Sequence, residues 1–247
     1  MLTQTSSLDM KAPVCKPIHL RQQTSPSELF HYGNLYYQEK KYIQAIGSYR
    51  AAAEQGHAAA QFSLGRCLYY GHGLPVNYPE AVRWYRKAAE QGHVAAQSSL
   101  GDCCFNATGV PQNDAEAAKW YYKAATKGDI SAQYMLGFSL RYGRGLPQNL
   151  QEAAKWYCKA AEQGHSAVQS ALGECYYHGI GVNQSLPEAI KWFRKAAEQG
   201  DAYALYRMGF FYHYGVGVPY NRAEALNWYR KAIAKGSTPA QNELNNL

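Results

Sequence analysis

The chain has 247 residues, of which 47% are hydrophobic and 17% are charged, and its formal net charge is +7. This composition is that of a folded protein with enough apolar residues for a continuous core, and it excludes a chain that is disordered throughout. Apolar stretches are interrupted within a few residues, so the sequence predicts no membrane-spanning segment, which needs about 20 successive apolar residues.

Residues 1–26 precede the first helical pattern and lack the apolar core of a secretory signal. We expect a flexible leader here, and a short peptide that a partner recognises is the alternative. Residues 27–247 predict one α-helical domain. Its first unit, residues 27–56, has the pattern of two helices, with a connecting loop four residues shorter than the loops of the later units.

Five repeats of 36 residues follow, from residue 57 to 236, without insertion or deletion. One tryptophan marks each repeat, and the five are Trp84, Trp120, Trp156, Trp192 and Trp228. A fixed period of this size predicts a solenoid, in which neighbouring repeats stack and share a core. We expect the tryptophans and the aromatic residues that follow them to be structural and to help fill the space between repeats.

Each repeat predicts two antiparallel helices joined by a glycine-rich turn. In the first repeat, residues 59–70 place apolar side chains on one helical face, and Gly65 allows another helix to approach closely. The second helix begins after Asn77, and Glu80 follows three residues later, a pattern that caps exposed backbone amides. Residues 237–247 then predict a polar C-terminal cap helix, with Ala240 and Leu244 at core positions.

The six cysteines do not have the pattern of a disulfide framework. Cys67, Cys103 and Cys175 occupy one repeat position, and equivalent positions of stacked helices lie about 8–10 Å apart, beyond the reach of a disulfide. We therefore predict reduced thiols and a cytoplasmic protein. Delivery into a host cell, if the chain comes from an intracellular bacterium, is the alternative.

No pattern in the chain predicts catalysis. The Ser-x-x-Lys motif of serine acyl-transfer enzymes is absent from the sequence, and the glycine turns lack the Lys-Ser/Thr of phosphate-binding loops. His57, His93 and His165 share one repeat position, so stacking spaces them too widely for one metal ion. The sequence predicts neither an enzyme nor a metal or cofactor site.

The positive charge lies mainly on the second helices of the repeats, where it is interleaved with acids. Glutamates precede basic residues by three positions, as in Glu152 with Lys155 and Glu188 with Lys191, which is typical of a solvated, ion-paired helix face. Nucleic acid is therefore a disfavoured partner. A basic face that binds nucleic acid or anionic surfaces remains the third functional hypothesis.

The repeat sequence resembles the Sel1-like repeat (SLR) family, close kin of tetratricopeptide repeats. The resemblance rests on Leu64-Gly65-x-x-Leu-Tyr-x-Gly-x-Gly-Leu-Pro, followed by Glu80-Ala81-x-x-Trp84-Tyr85-x-Lys87-Ala88-Ala89-Glu90-Gln91-Gly92. Residues 27–56 look more like a plain tetratricopeptide repeat. The resemblance implies a right-handed α/α superhelix whose first helices line a concave groove, and a protein–protein interaction scaffold or adaptor.

The resemblance also assigns the groove positions. The residues expected to bind a partner are Phe62, Arg66, Tyr69, Phe105, Tyr134, Phe138, Arg141, Tyr177, Tyr206, Phe210 and Tyr214. Tyrosine offers rigid contact area with a hydrogen-bonding tip, and arginine binds carboxylates. We expect the region around Tyr206, Phe210 and Tyr214 to contribute most, and the alternative is that many of these rings only pack between repeats.

The sequence thus predicts a non-enzymatic scaffold that binds a protein or peptide partner in an aromatic groove. A regulatory subunit that activates or assembles an enzyme complex is the second hypothesis. The sequence predicts no oligomeric state and does not identify the partner.

Overall fold

The computed structural model describes residues 24–245 and 247, and within them the chain forms thirteen α-helices. They are α1 (Pro26–Gln38), α2 (Tyr42–Glu54), α3 (Ala58–Tyr70), α4 (Tyr78–Glu90), α5 (Val94–Phe105), α6 (Asp114–Ala125), α7 (Ile130–Tyr142), α8 (Leu150–Glu162), α9 (Ser166–His178), α10 (Leu186–Glu198), α11 (Ala202–Tyr214), α12 (Arg222–Ala234) and α13 (Thr238–Asn245). Of the predicted leader, residues 1–23 lie outside the described residues.

The helices stack in chain order as antiparallel pairs. Each odd-numbered helix up to α11, a first helix, packs on the even-numbered second helix that follows it, and each second helix packs on the next first helix. The last helix, α13, packs on α12 and α11. The predicted all-α solenoid is therefore confirmed. None of the helices in the described part of the chain combines the length and apolar character needed to cross a membrane.

A glycine in each first helix up to α11 lets the second helix of the same pair approach closely. A Cβ atom on Gly65 would lie 2.8 Å from the ring of Tyr85, and one on Gly137 would lie 2.7 Å from the ring of Tyr157. Both tyrosines are almost fully buried. Since only glycine allows this approach, the repeated glycine fixes the geometry inside each pair.

The tryptophans of the second helices pack largely as predicted. Trp120, Trp156 and Trp192 are buried, whereas Trp84 and Trp228 are half-buried. In each repeat the lysine three residues after the tryptophan places its Nζ 4.2–4.7 Å from the ring centroid. Part of the positive charge on the second helices is thus held against aromatic rings, in cation–π contacts.

The predicted ion pairs on the second helices form in only some repeats. Lys155 lies 3.2 Å from Glu152, and Lys191 lies 3.1 Å from Glu188, as the spacing predicts. Glu80 instead lies 3.7 Å from Arg50 of the preceding pair. Glu116 likewise bonds Arg86 of the preceding repeat. The correction has a simple cause: an arginine on the previous second helix reaches the same carboxylate across the repeat boundary.

Side chains cap both helices of most repeats. Asn77 accepts a hydrogen bond from the backbone N–H of Glu80 at 3.1 Å, and the equivalent residue begins each later second helix in the same way. First helices begin at His57, His93, Asp129 and Asp201, each of which accepts from the backbone N–H three residues later. His165 begins α9 without such a bond.

The described cysteines are free thiols. Cys67, Cys103, Cys104 and Cys175 are buried and Cys158 is half-buried, while Cys15 lies outside the described residues. Burial raises the pKa of the Cys67 thiol to about 11. A thiol that stays protonated is a poor nucleophile, so these cysteines act as small apolar side chains.

Candidate partner-binding groove

The eleven predicted groove residues lie on one series of helices: α3, α5, α7, α9 and α11. We call their shared surface the first-helix face. Its aromatic side chains are half-buried except Tyr214, which is 52% exposed. Arg66 is exposed and Arg141 is half-buried. The first helices also touch one another directly, α5 with α7 and α11 with α13. The face is therefore continuous from one repeat to the next.

At its N-terminal part, the face carries an arginine with no ion pair among the described residues. The guanidinium of Arg66 lies 5.8 Å from the ring of Phe62, which in turn packs 4.7 Å from the ring of His93. Tyr69 meets Tyr70 edge-on at 4.9 Å. The charge of Arg66 is thus presented to solvent beside three aromatic rings.

A small polar cavity of about 60 Å³ lies between α3 and α5. Tyr69, Tyr70 and Asp102 contribute to its lining. Part of Asp102 reaches solvent, but burial of its carboxylate raises its pKa, and a hydrogen bond at 2.8 Å from the Tyr121 hydroxyl opposes that rise. The cavity offers a carboxylate that is already held by the core.

In the middle of the face, aromatic rings meet across a repeat boundary. Phe105 of α5 lies 6.0 Å from Phe138 of α7, edge to face. Arg144 lies 4.1 Å from the Phe105 ring while its guanidinium bonds Asp114 at 2.8 and 3.0 Å. Tyr134 packs 5.8 Å from Tyr157. These contacts hold one side of each ring and leave the half-exposed side outward.

The C-terminal part contains a charged cluster that the sequence analysis missed. Arg207 is only 9% exposed, and its guanidinium lies 4.3 Å from the Tyr177 ring and 5.2 Å from the Phe210 ring. Its Nε lies 3.3 Å from Glu174 Oε1. Glu174 also accepts a hydrogen bond from the Tyr203 hydroxyl at 2.8 Å. We call these five residues the Arg207 cluster; it joins α9 to α11.

A sequence signal for this cluster exists. Arg207 stands at a repeat position occupied elsewhere by Ser63, Ser99, Met135 and Ala171. One long charged residue among four uncharged ones indicates a local function. Period alone did not reveal it, because the partner, Glu174, lies on a different repeat position.

The three residues expected to contribute most lie near one another and near α13. Phe210 is 4.7 Å from Tyr214, and Tyr206 stacks on Tyr229 of α12 at 6.2 Å. The Tyr214 hydroxyl donates to Glu243 of α13 at 2.9 Å. The rings therefore pack within the solenoid and also remain partly open to solvent, which combines the two interpretations of the sequence.

A second concavity lies away from this face. It has a volume of about 650 Å³ and is lined in part by Ala154, Cys158 and Tyr176. Cys158 stands where other repeats carry an arginine or a tyrosine, as at Arg86 and Tyr122, so the space results from a smaller side chain. Among the described residues, no group of three His, Cys, Asp or Glu side chains is placed to hold a metal ion.

The family model of the Sel1 repeat matches this chain six times, over residues 27–57, 58–93, 94–129, 130–165, 166–201 and 202–237. The chain belongs to the Sel1 repeat family. The matches include residues 27–57, the unit that resembles a plain tetratricopeptide repeat. Sel1 repeats generally mediate protein–protein interactions, and their solenoid is typical of non-enzymatic scaffolds.

Solved Sel1 structures show the same architecture. A protective antigen present in uropathogenic Escherichia coli strains and displaying an SLR fold is 35% identical, with a TM-score of 0.84 over 90% of this chain and 48% of that chain. This chain thus spans about half of that protein's length. A Sel1 repeat protein from Oxalobacter formigenes is 34% identical, with a TM-score of 0.81 over 86% of this chain and 88% of that one.

A more distant structure, an immunity protein from Pseudomonas aeruginosa, shares the fold alone. It is 18% identical, with a TM-score of 0.52 over 87% of each chain. No match was found among curated proteins.

Proposed function

We propose that this Sel1 repeat protein is a non-enzymatic scaffold that binds a segment of a partner protein along the first-helix face. The observation that carries the proposal is the row of half-buried aromatic rings on successive first helices, held from below and open outward. Rings fixed in this way lose little conformational entropy on binding, so they suit protein recognition.

Charge adds specificity to the proposed groove. Arg66 and Arg141 carry guanidinium groups without an ion pair among the described residues, and each lies beside an aromatic ring, at 5.8 and 5.3 Å. A partner segment that carries carboxylates would satisfy both. The C-terminal part, with Glu174 and Glu243, is acidic and already hydrogen-bonded. We propose a partner whose acidic residues face the α3 to α7 part of the groove.

The second-helix surface supports this choice over a polyanion-binding function. Lysines there lie over tryptophan rings, and glutamates bond basic residues of the same or the preceding repeat. Charges with neighbours of the opposite sign attract a polyanion weakly. The free thiols support action in the cytoplasm, of the source cell or of a host cell.

The test compares partner binding by the wild type and by the Tyr206→Ala, Phe210→Ala, Tyr214→Ala triple variant. Proteins captured from the source cell at physiological and high salt are identified, and the Kd of the best one is measured by calorimetry. We expect the triple variant to bind about tenfold more weakly or worse, as for central aromatic residues of interfaces. Circular dichroism checks that the variant keeps its helices.

The matched control is the Tyr122→Ala, Tyr220→Ala double variant. These tyrosines are 56% and 62% exposed, so they are as accessible as Tyr214, but they lie outside the first helices. We expect the control to bind like the wild type. Equal binding by all three proteins contradicts the groove, and capture of nucleic acid alone, lost at high salt, favours the basic surface instead.

A further inference from the structure

The N-terminal end of the solenoid exposes a packing surface that every later repeat buries. On α1, Tyr32 is 50% exposed and Leu35 is 43% exposed, and Leu29 and Tyr36 beside them are half-buried. These four residues follow the i, i+3, i+6, i+7 spacing of one helical face. We name this surface the α1 end face.

The alignment of Gly33 with Gly65 shows what this face is built for. Both glycines contact the aromatic ring of their own second helix, so α1 and α3 have the same register. In that register the α1 residues correspond to positions that are almost completely buried in α3, because those side chains pack against α2 of the preceding pair. The buried residues are Gln61, Leu64, Cys67 and Leu68.

No described helix covers the α1 end face, and the opposite end of the solenoid is built differently. Asn245 of α13 stands at the repeat position of Gly209. A Cβ atom at that position in α11 would collide with the ring of Tyr229, so α13 lacks the glycine that admits a second helix. Terminal repeats need a polar outer surface to stay monomeric and soluble. The α13 end meets that need, and the α1 end does not.

We propose that the α1 end face is the interface of a homodimer, in which α1 packs antiparallel to α1 of a second copy about a two-fold axis. Such an interface must be self-complementary. When Tyr32 faces Tyr36 of the second copy, the antiparallel arrangement sets residues whose numbers sum to 68 opposite each other. Glu28, four residues before Tyr32, then faces Lys40, four residues after Tyr36.

The charges at the two ends of α1 therefore match across the axis, twice by symmetry. Glu28 and Lys40 are both exposed, and Lys40 has no ion pair among the described residues. Like charges in these places would repel in the same arrangement. The pairing favours a second copy of this chain over an unrelated helix, and it uses no residue of the first-helix face.

The test measures the molar mass of the full chain by size-exclusion chromatography with light scattering over a range of concentrations. We expect the wild type to reach twice the 27.6 kDa of one chain and Leu35→Glu to stay monomeric. Ile43→Glu is the matched control, because Ile43 is 76% exposed but its repeat equivalents, such as Pro79, are exposed as well. It should dimerise like the wild type.

Charge variants test the arrangement itself. Lys40→Glu should raise the dimer Kd about tenfold, and adding Glu28→Lys should restore it, since the two opposed pairs are then swapped. A melting curve checks the loss of the Glu28 cap on α1. A double variant that dimerises no better than Lys40→Glu overturns the antiparallel pairing.

A monomeric wild type overturns the dimer, as does a dimer that survives Leu35→Glu. In a monomeric wild type, a lower melting temperature for Leu35→Glu than for Ile43→Glu would assign the α1 end face to another segment of the same chain. Neither result bears on partner binding in the groove, which is tested separately.

Discussion

The two halves of the first-helix face use the same repeat positions for opposite purposes. The position of Arg66 in α3 is that of Glu174 in α9, and the position of Ser63 is that of Arg207 in α11. In the C-terminal half, Glu174 and Arg207 meet at 3.3 Å among aromatic rings. In the N-terminal half, Arg66 remains exposed.

This difference shows how a strict repeat acquires a specific surface. Glycines, alanines and caps hold the backbone in one geometry, so the outward positions are free to vary. Where a charge finds its partner on the next first helix, the face becomes rigid; where it does not, the charge is available to a ligand. The variants below test that distinction.

The strongest test compares two arginines of the same face. Arg207→Ala removes a side chain that is buried against four aromatic rings and separates Glu174 from its ion-pair partner. We expect a loss of about 3 kcal/mol in the free energy of unfolding. Arg66→Ala removes an exposed side chain, so we expect a change within about 0.5 kcal/mol.

Urea denaturation of both variants measures the two values. The combined Glu174→Gln, Arg207→Met variant is a useful control, because it removes the charges and keeps the volume, and it should recover part of the loss. Equal effects of Arg207→Ala and Arg66→Ala would contradict the idea that only the C-terminal half is internally paired.

The glycines of the first helices offer a smaller test of what the halves share. A Cβ on Gly101 would lie 2.6 Å from the ring of Tyr121, which the hydrogen bond to Asp102 holds in place, whereas on Gly173 it would lie 3.0 Å from the ring of Phe193. We expect Gly101→Ala to destabilise the protein by about 1–3 kcal/mol, and Gly173→Ala to cost less.

Gly47 of α2 provides the control for these substitutions. A Cβ there meets no atom within 4 Å, so Gly47→Ala should raise the free energy of unfolding by about 0.5–1 kcal/mol through helix propensity alone. Thermal and urea melts of the three variants give the order. Destabilisation by Gly173→Ala as large as that by Gly101→Ala would mean that both rings are held equally firmly.

Much of the fold followed from the sequence because its causes are local and repeated. The pattern at residues 59–70 predicted a helix that the structure extends by one residue, to Ala58–Tyr70. Asn77 was predicted to begin the next helix, and it does. Period, glycine contacts and caps act within one pair of helices, and sequence spacing reports them directly.

The side-chain partners across repeats were harder to predict, since they depend on stacking geometry. Ser98 donates a hydrogen bond to Asp129 at 3.0 Å, whereas at the same positions one repeat earlier Phe62 packs on His93 at 4.7 Å. The 31-residue separation is constant, so the pairing is visible once the stacking is known. Helical periodicity gives the side of a groove residue, but it does not give the depth of its ring.

The smallest expected effect concerns this same pair in the N-terminal half. His93 caps α5 by accepting the backbone N–H of Ala96 at Nδ1, at 3.2 Å, which requires an unprotonated nitrogen. Burial, and to a lesser degree the charge of His57, holds the pKa of His93 below its ordinary value of 6.5. The neutral form is therefore favoured in the folded state. Its stabilisation is complete above pH 6.5 and decreases as the pH falls from 6.5 towards the lower folded pKa.

His93→Asn keeps a good capping side chain that does not titrate. Between pH 7.5 and 5.0, the wild type should lose more of its free energy of unfolding than this variant, by no more than the roughly 0.5–2 kcal/mol that a helix cap contributes. His165→Asn is the control, because His165 makes no side-chain cap bond and its replacement should change the pH dependence less. Urea titrations at the two pH values decide the matter. Equal pH dependence in the wild type and His93→Asn would show that protonation leaves the α5 cap intact, and that the histidine caps of the N-terminal half tolerate acid as the rest of the solenoid does.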